Sequence, residues 1–201
     1  MTRLLLVRHA PTPETGTRLT GRAGNVSLGP KGEAHARATA ARLASTRIKA
    51  VYTSPITRTS ETAGIIAEAH GLTPILREGL TEIDFGAWTG RTLKSLRRIT
   101  LWGQVQRVPS RVRFPDGESF IEAQLRAVDA VERIAADVGK ATAIVVSHSD
   151  VIKLILAHYL GQPLDLFQRL HISTTSVSEL ILPKGGSPMV GAVNDRGRSD
   201  W

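Results

Sequence analysis

The sequence predicts an α/β fold, a mostly parallel sheet wrapped by helices, and three observations predict it. Short apolar runs alternate along the chain with longer segments of helical periodicity, the pattern of strand–helix–strand units. The first run, Leu4-Leu5-Leu6-Val7, reads as a buried strand yet runs straight into Arg8-His9. Other runs end the same way, in polar residues, and open α/β sheets bind ligands outside the carboxyl ends of their strands.

In chain order, the candidate strands are residues 3–8, 50–54, a short one at 75–77, 143–147 and 176–182. A last edge strand at 189–193 pairs back through the 183–188 turn. The candidate helices are residues 30–44, 56–70, 92–105, 119–138 and 151–160. Pro30 suits a first helical turn, and Gly71 and Gly161 read as C-terminal stops. The Gly185-Gly186 stretch and the tail from Asp195 to Trp201 read as mobile.

The 201 residues fit one domain, 1–201, large enough to bury a core. No stretch approaches the roughly 18 apolar residues of a membrane span, and the N-terminal apolar run is too short for a signal peptide. With no cysteine, disulfides, thiolate zinc sites and a cysteine nucleophile are excluded, and a cytoplasmic location is expected. The net charge of +8 is uneven: residues 87–115 hold seven basic side chains and no acid. That segment is expected to form a basic cap over a pocket, with most of its cations solvated. With so few aromatics there is no stacking platform, which argues against nucleic acid as a partner.

Placing the polar residues on these elements brings four segments to one rim. Arg8-His9 follows the first strand, Ser54 ends the second, and Arg58 lies in the first turn of the next helix. Ser147-His148-Ser149 ends another central strand, and Glu82 follows the short one. Two arginines and two histidines around one carboxylate suit phosphate, because a guanidinium matches phosphate oxygens bidentately. One histidine could attack phosphorus, and flanking cations would keep it neutral for that purpose. Glu82 could protonate the leaving oxygen and later deprotonate water, on condition that bound phosphate raises its pKa. His35, His70, His158 and His171 have no partner motif and are read as ordinary core or surface histidines. No zinc-binding spacing, P-loop or dinucleotide fingerprint is present.

Those segments resemble the motifs of the histidine phosphatase superfamily, also called phosphoglycerate mutase-like. "LLLVRHAPT" is similar to its Arg-His-Gly signature, and "VYTSPITRTSETA" to its second motif. "LTEIDFGAWTG", "FPDGESF" and "VVSHSDVIKLILAHYLG" resemble its acid, Gly-Glu-Ser and second-histidine motifs, all in the family's order. The resemblance implies a three-layer α/β sandwich and a phosphohistidine mechanism with no metal or other cofactor. It implies His9 as nucleophile, Arg8, Arg58 and His148 as holders of the phosphoryl group, and Glu82 as proton donor. Ala10 replaces the family's usual glycine, and Ser149 stands where glycine is common. Thr15 falls where many members have a phosphate-touching asparagine, so Thr15, Thr20, Gly21 and Ser149 are the candidate substrate contacts.

The mutases of that family carry Glu-x-x-Trp-Asn after the first motif, where this chain has Pro11-Thr12-Pro13-Glu14-Thr15. They also have a longer insertion between the acid and the second histidine. The expectation is therefore a phosphatase of small phosphomonoesters, with the 87–115 cations reading a second anionic group. The alternatives are a phosphoglycerate-type mutase, or a catalytically weak binder of phosphorylated ligands or nucleic acid. No membrane partner is expected, and a homodimer is left open.

Overall fold

The computed structural model describes residues 1–23 and 25–197. Six strands form one sheet: β1 (Thr2–Arg8), β2 (Ala50–Thr53), β3 (Ile75–Leu76), β4 (Thr142–Ser147), β5 (Val177–Leu182) and β6 (Met189–Val190). Their spatial order is β3-β2-β4-β1-β5-β6. The β3, β2, β4 and β1 strands run parallel, while β5 and β6 add antiparallel pairings at one side. The sheet is thus mostly parallel, as expected.

Side-chain alternation along the strands builds two apolar layers. Leu4 and Leu6 of β1 pack with Ala143 and Val145 of β4 against α5 (Phe120–Val138) and α6 (Ser149–Tyr159). Leu5 and Val7, with Ile144 and Val146, face α1 (Gly29–Leu43) and α2 (Thr57–Glu68) on the opposite side. A strand covered on both faces has no polar face to present, which is why the β1 run is continuously apolar. Burying each such side chain contributes about 1.5–3 kcal/mol, and Leu4, Leu6, Val7, Ile144, Val145 and Val146 are all fully buried.

The stretch expected as one helix over 92–105 is instead two, α3 (Leu93–Leu96) and α4 (Thr100–Arg107). Thr92 caps α3, its Oγ1 accepting from Ser95 N at 3.2 Å, and Ile99 is extended between the two. Ile99 and Thr100 are β-branched neighbours, stiff at χ1 and poor helix formers. The break also lets Leu96 and Val105 both bury in a separate aromatic core beneath residues 83–114. Phe114 anchors that core, its ring 4.9 Å from Phe85 and 5.4 Å from Trp88.

The start of α5 is fixed by Ser119 and Glu122, each accepting from the other's backbone N–H. The expected mobile tail is tied down at its beginning: Asp195 and Val177 exchange backbone hydrogen bonds at 2.8 Å. The part of that expectation falling on residues 198–201 lies outside the described residues. Among the described residues no helix is long and apolar enough to cross a membrane.

Candidate active site

Because β1, β2 and β4 run parallel, their carboxyl ends meet at one rim. Arg8 pairs in register with Ser147, and the next residue, His9, donates its backbone N–H to Ser147 O at 2.9 Å. His148 directly follows β4 at the head of α6, and Arg58 sits in the first turn of α2. Eight of the nine residues singled out from sequence line one cavity of about 220 Å³: Arg8, His9, Thr15, Thr20, Gly21, Arg58, Glu82 and Ser149. The ninth, His148, is fully buried behind that wall, its ring centroid 5.3 Å from that of His9.

His9 has the protonation state and the free ring nitrogen that a nucleophilic imidazole needs. Its Nδ1 lies 2.8 Å from Ala10 O, and a carbonyl only accepts, so Nδ1 carries the proton and Nε2 keeps a free lone pair. Burial, then the charges of Arg58 and Arg8, push its pKa down to about 3. The imidazole is therefore neutral at physiological pH. The methyl of Ala10, where the family has glycine, fills a small apolar cluster with Leu28 and Ala36.

Around His9 stand cationic donors without acceptors. Arg8 Nη1 donates to Ile172 O at 2.7 Å, and Arg58 Nη2 donates to Gly21 O at 2.7 Å. Arg8 Nε, Arg58 Nε and Arg58 Nη1 are buried with no hydrogen-bond partner. Leaving a buried donor unmet costs about 1–3 kcal/mol, more when it is charged. Three such donors beside one imidazole form a seat for an oxyanion. Gly21 has φ +52°, and a Cβ there would meet Phe85 and Thr89 at 3.0 Å, so glycine suits the turn that offers its carbonyl to Arg58.

His148 is held from both sides. Its Nδ1 accepts from Arg58 Nη2 at 3.1 Å, so its Nε2 donates to Ser54 Oγ at 3.0 Å. Burial and the neighbouring cations hold its pKa well below the usual value.

Glu82 differs from expectation in one respect. No bound phosphate is required to raise its pKa: burial, then the charge of Asp150, lift it to about 7 against the pull of Arg58. Its Oε1 accepts from Ile83 N at 3.0 Å. At neutral pH it is thus present in both protonation states, as a group that first gives and then takes a proton must be.

Several cavity residues were not singled out from sequence. Asp150 lies in the first turn of α6, and Thr12, Gly16, Arg18, Leu19, Phe85 and Leu93 complete the lining. Thr15 Oγ1 accepts from Thr12 N at 2.9 Å, which shapes the rim. Of the 87–115 segment only Leu93 reaches the cavity; none of its seven basic side chains lines it. Those cations are solvent-exposed, and Arg113 is spent on Glu122 and Gly117 O. Among the described residues no group of three or more His, Asp or Glu side chains is placed to hold a metal.

The fold and the order of these residues along the chain define a member of the histidine phosphatase superfamily. The family profile, histidine phosphatase superfamily (branch 1), matches residues 4–196, and the chain belongs to that family. The bifunctional protein Rv2228c of Mycobacterium tuberculosis is 33% identical over 198 residues, 98% of this chain and 54% of that protein. The chain thus spans about half the length of those mycobacterial relatives. Phosphoserine phosphatase 1 of Hydrogenobacter thermophilus is 29% identical, covering 89% of this chain and 85% of the relative. A probable phosphoglycerate mutase, GpmB of Enterobacter sp., is 31% identical with 90% and 85% coverage. Among solved structures, Bacillus stearothermophilus YhfR superposes with a TM-score of 0.91 at 29% identity, covering 97% of this chain and 98% of its own. The three-layer architecture expected from the motifs is the one observed.

Proposed function

We propose that the chain is a phosphatase of small, anionic phosphomonoesters, working through a covalent phosphohistidine on His9. The observation that carries this reading is a neutral, buried His9 with Nε2 free, beside three guanidinium N–H donors that lack acceptors. Non-bridging oxygens of a phosphoryl group are the acceptors such donors call for. His9 Nε2 forms a bond to phosphorus as the ester P–O bond breaks, and protonated Glu82 gives its proton to the departing oxygen. Water then attacks the phosphohistidine, Glu82 takes its proton, the P–N bond breaks, and inorganic phosphate leaves with neutral His9 restored. Arg8 and Arg58 hold the transferred group throughout, His148 holds Arg58 in place, and the 87–115 segment acts as a cap through Leu93.

A mutase reading is favoured by one observation, the likeness to a probable phosphoglycerate mutase at 31% identity. Both reactions share the covalent step and differ in whether water or a substrate hydroxyl accepts the phosphoryl group. Hydrolysis of phenyl phosphate in EDTA, with acid-labile phosphoenzyme trapped in parallel, separates them. Turnover and label, both lost in His9→Ala, support the phosphatase; a stable phosphoenzyme without turnover, relieved by a bisphosphate primer, supports the mutase. Neither signal from folded protein overturns both and leaves a binding protein, for which salt-sensitive nucleic-acid binding indifferent to His9→Ala is the mark.

A further inference from the structure

A second cavity, about 570 Å³, adjoins the first, and Arg8 and Thr15 line both. Its other walls come from separate parts of the chain. His35 and Arg42 project from α1, His171 with the hydroxyls of Ser173, Thr174 and Thr175 from the loop before β5, and Arg196 from the segment after β6. No carboxylate lines it among the described residues. Asp195 sits 3.5 Å from Arg42 Nη1 on the far side, lining with Arg3, Glu179 and Arg42 itself a separate hollow. Three guanidiniums and two imidazoles thus share a concave surface with a row of hydroxyls, and the one ion pair among them, Arg42 with Asp195, is made from outside the cavity.

The small cavity is below the roughly 300–1,000 Å³ of ordinary ligand sites. It accommodates a phosphoryl group, and whatever that group is esterified to must extend beyond it. Arg8 stands at the junction: Nη1 is spent on Ile172 O, next to His171, while Nε is buried without an acceptor. The 87–115 cations do not line this cavity either.

Resting on the phosphatase reading above, we propose that the second cavity is the subsite for a second oxyanion of the substrate, a carboxylate or another phosphate. Arg42, His171 and Arg196 contact that oxyanion while the phosphoryl group lies against His9. The substrate class is a phosphomonoester whose alcohol carries an acid group several bonds from the ester oxygen. His35 and His171, unassigned by motif, thereby gain a role as neutral hydrogen-bonding groups or cations on that wall.

The test compares alkyl phosphates ending in a methyl group with matched chains ending in carboxylate or phosphate, over several chain lengths. The expected result is a tenfold or larger advantage in kcat/KM for the acid-ended series at one preferred length, and which acid gives it identifies the oxyanion. That ratio falls at least tenfold in Arg42→Gln and in His171→Ala. Should Arg42→Gln fail to fold, because Arg42 also ties Asp195 and Thr175 O, His171→Ala and Arg196→Ala decide the matter. No acid advantage at any length, or an advantage these variants leave intact, overturns the subsite while leaving the phosphatase standing. Failure of wild type to hydrolyse any member of either series overturns the phosphatase reading and the subsite with it.

Discussion

Arg126, in the middle of α5, donates through Nη2 to the carbonyl of Glu82 at 3.1 Å. Its Nη1 serves Gly79 O at 2.9 Å and Thr81 O at 2.7 Å, and Glu118 braces the same guanidinium. Arg22 adds a second donor to Glu82 O at 2.9 Å. One side chain thus latches three carbonyls of the acid loop to a long helix that is itself packed on the sheet. Arg126 binds only the backbone of that loop, so its expected role under the proposed mechanism is to position Glu82.

Arg126→Ala is expected to lower kcat at least tenfold, since small misplacements of a proton donor are costly. It also removes one partner of a mostly buried Glu118, which keeps Arg22 Nη2 and Asp84 N, so the stability cost is at the low end of about 1–3 kcal/mol. A purely structural role would lower the folded fraction alone. A positioning role also shifts or flattens the Glu82 limb of the pH–rate profile in the folded fraction, and Arg126→Lys restores part of it. An unchanged profile in a folded variant refutes the positioning role.

Glu82 itself sets the second prediction. Its pKa of about 7 in the free protein makes the donor form dominant below neutrality. With alkyl phosphates, whose leaving oxygen needs a proton, kcat/KM falls as pH rises through about 7. Glu82→Gln removes that limb and costs about 10²–10⁴ in rate, the usual worth of general acid catalysis. With 4-nitrophenyl phosphate the loss is much smaller, because nitrophenolate leaves without help. Equal losses on both substrates would count against Glu82 as the acid.

The same groups govern stability against pH, with opposite signs. His9 binds its proton in the unfolded chain near pH 6.5 but in the folded one only near 3. Folded stability is therefore lost as pH falls below 6.5, by about 1.4 kcal/mol per pH unit. His148, depressed by the same causes, adds to that loss. Glu82 is raised, so its contribution is fully present below about 4.5 and is lost as pH rises towards 7. Denaturant titrations from pH 4 to 8 are expected to show a shallower acid decline in His9→Asn. Glu82→Gln should exceed wild type in stability at pH 8 and match it near pH 4. A pH-independent difference for either variant contradicts the assignment.

Much of this site was legible in the chain because each main residue stands at the end of a parallel strand or in the helical turn after it. Arg8-His9, Ser54, Arg58 and Ser147-His148 lie there, and the apolar runs before them fix where the strands stop. Arg126 was not legible: it acts on Glu82 from 44 residues away, within a helix whose pattern gives only amphipathicity. Asp150 was hidden in plain order, an acid in the first turn after His148 that sequence alone assigns to solvent or to the helix dipole. Most of the 87–115 cations are solvated as expected, but charge density in sequence does not say which way a side chain points, and none of them lines either cavity; the arginines that do are scattered along the chain. The split at Ile99 depended on a tertiary demand, the burial of both Leu96 and Val105, that no local pattern expresses.

The unmet donors give a last prediction that needs no turnover. Inorganic phosphate or orthovanadate supplies acceptors to Arg8 Nε, Arg58 Nε and Arg58 Nη1, and binds the folded state alone. At about 100 times its dissociation constant it stabilises by about 2.7 kcal/mol. For a chain of this size that corresponds to roughly 5–10 °C in Tm. Sulfate acts likewise, while chloride at equal ionic strength does not, because the site is geometric as well as charged. Arg58→Gln is expected to abolish the shift and Arg8→Gln to halve it or more, since the two donors of Arg58 remain. Glu82→Gln instead strengthens it, by removing one of the two cavity carboxylates, Glu82 and Asp150, whose charge opposes the anion at pH 8. A thermal shift equal in wild type and Arg58→Gln would place the anion elsewhere and detach the orphaned guanidinium from phosphate recognition.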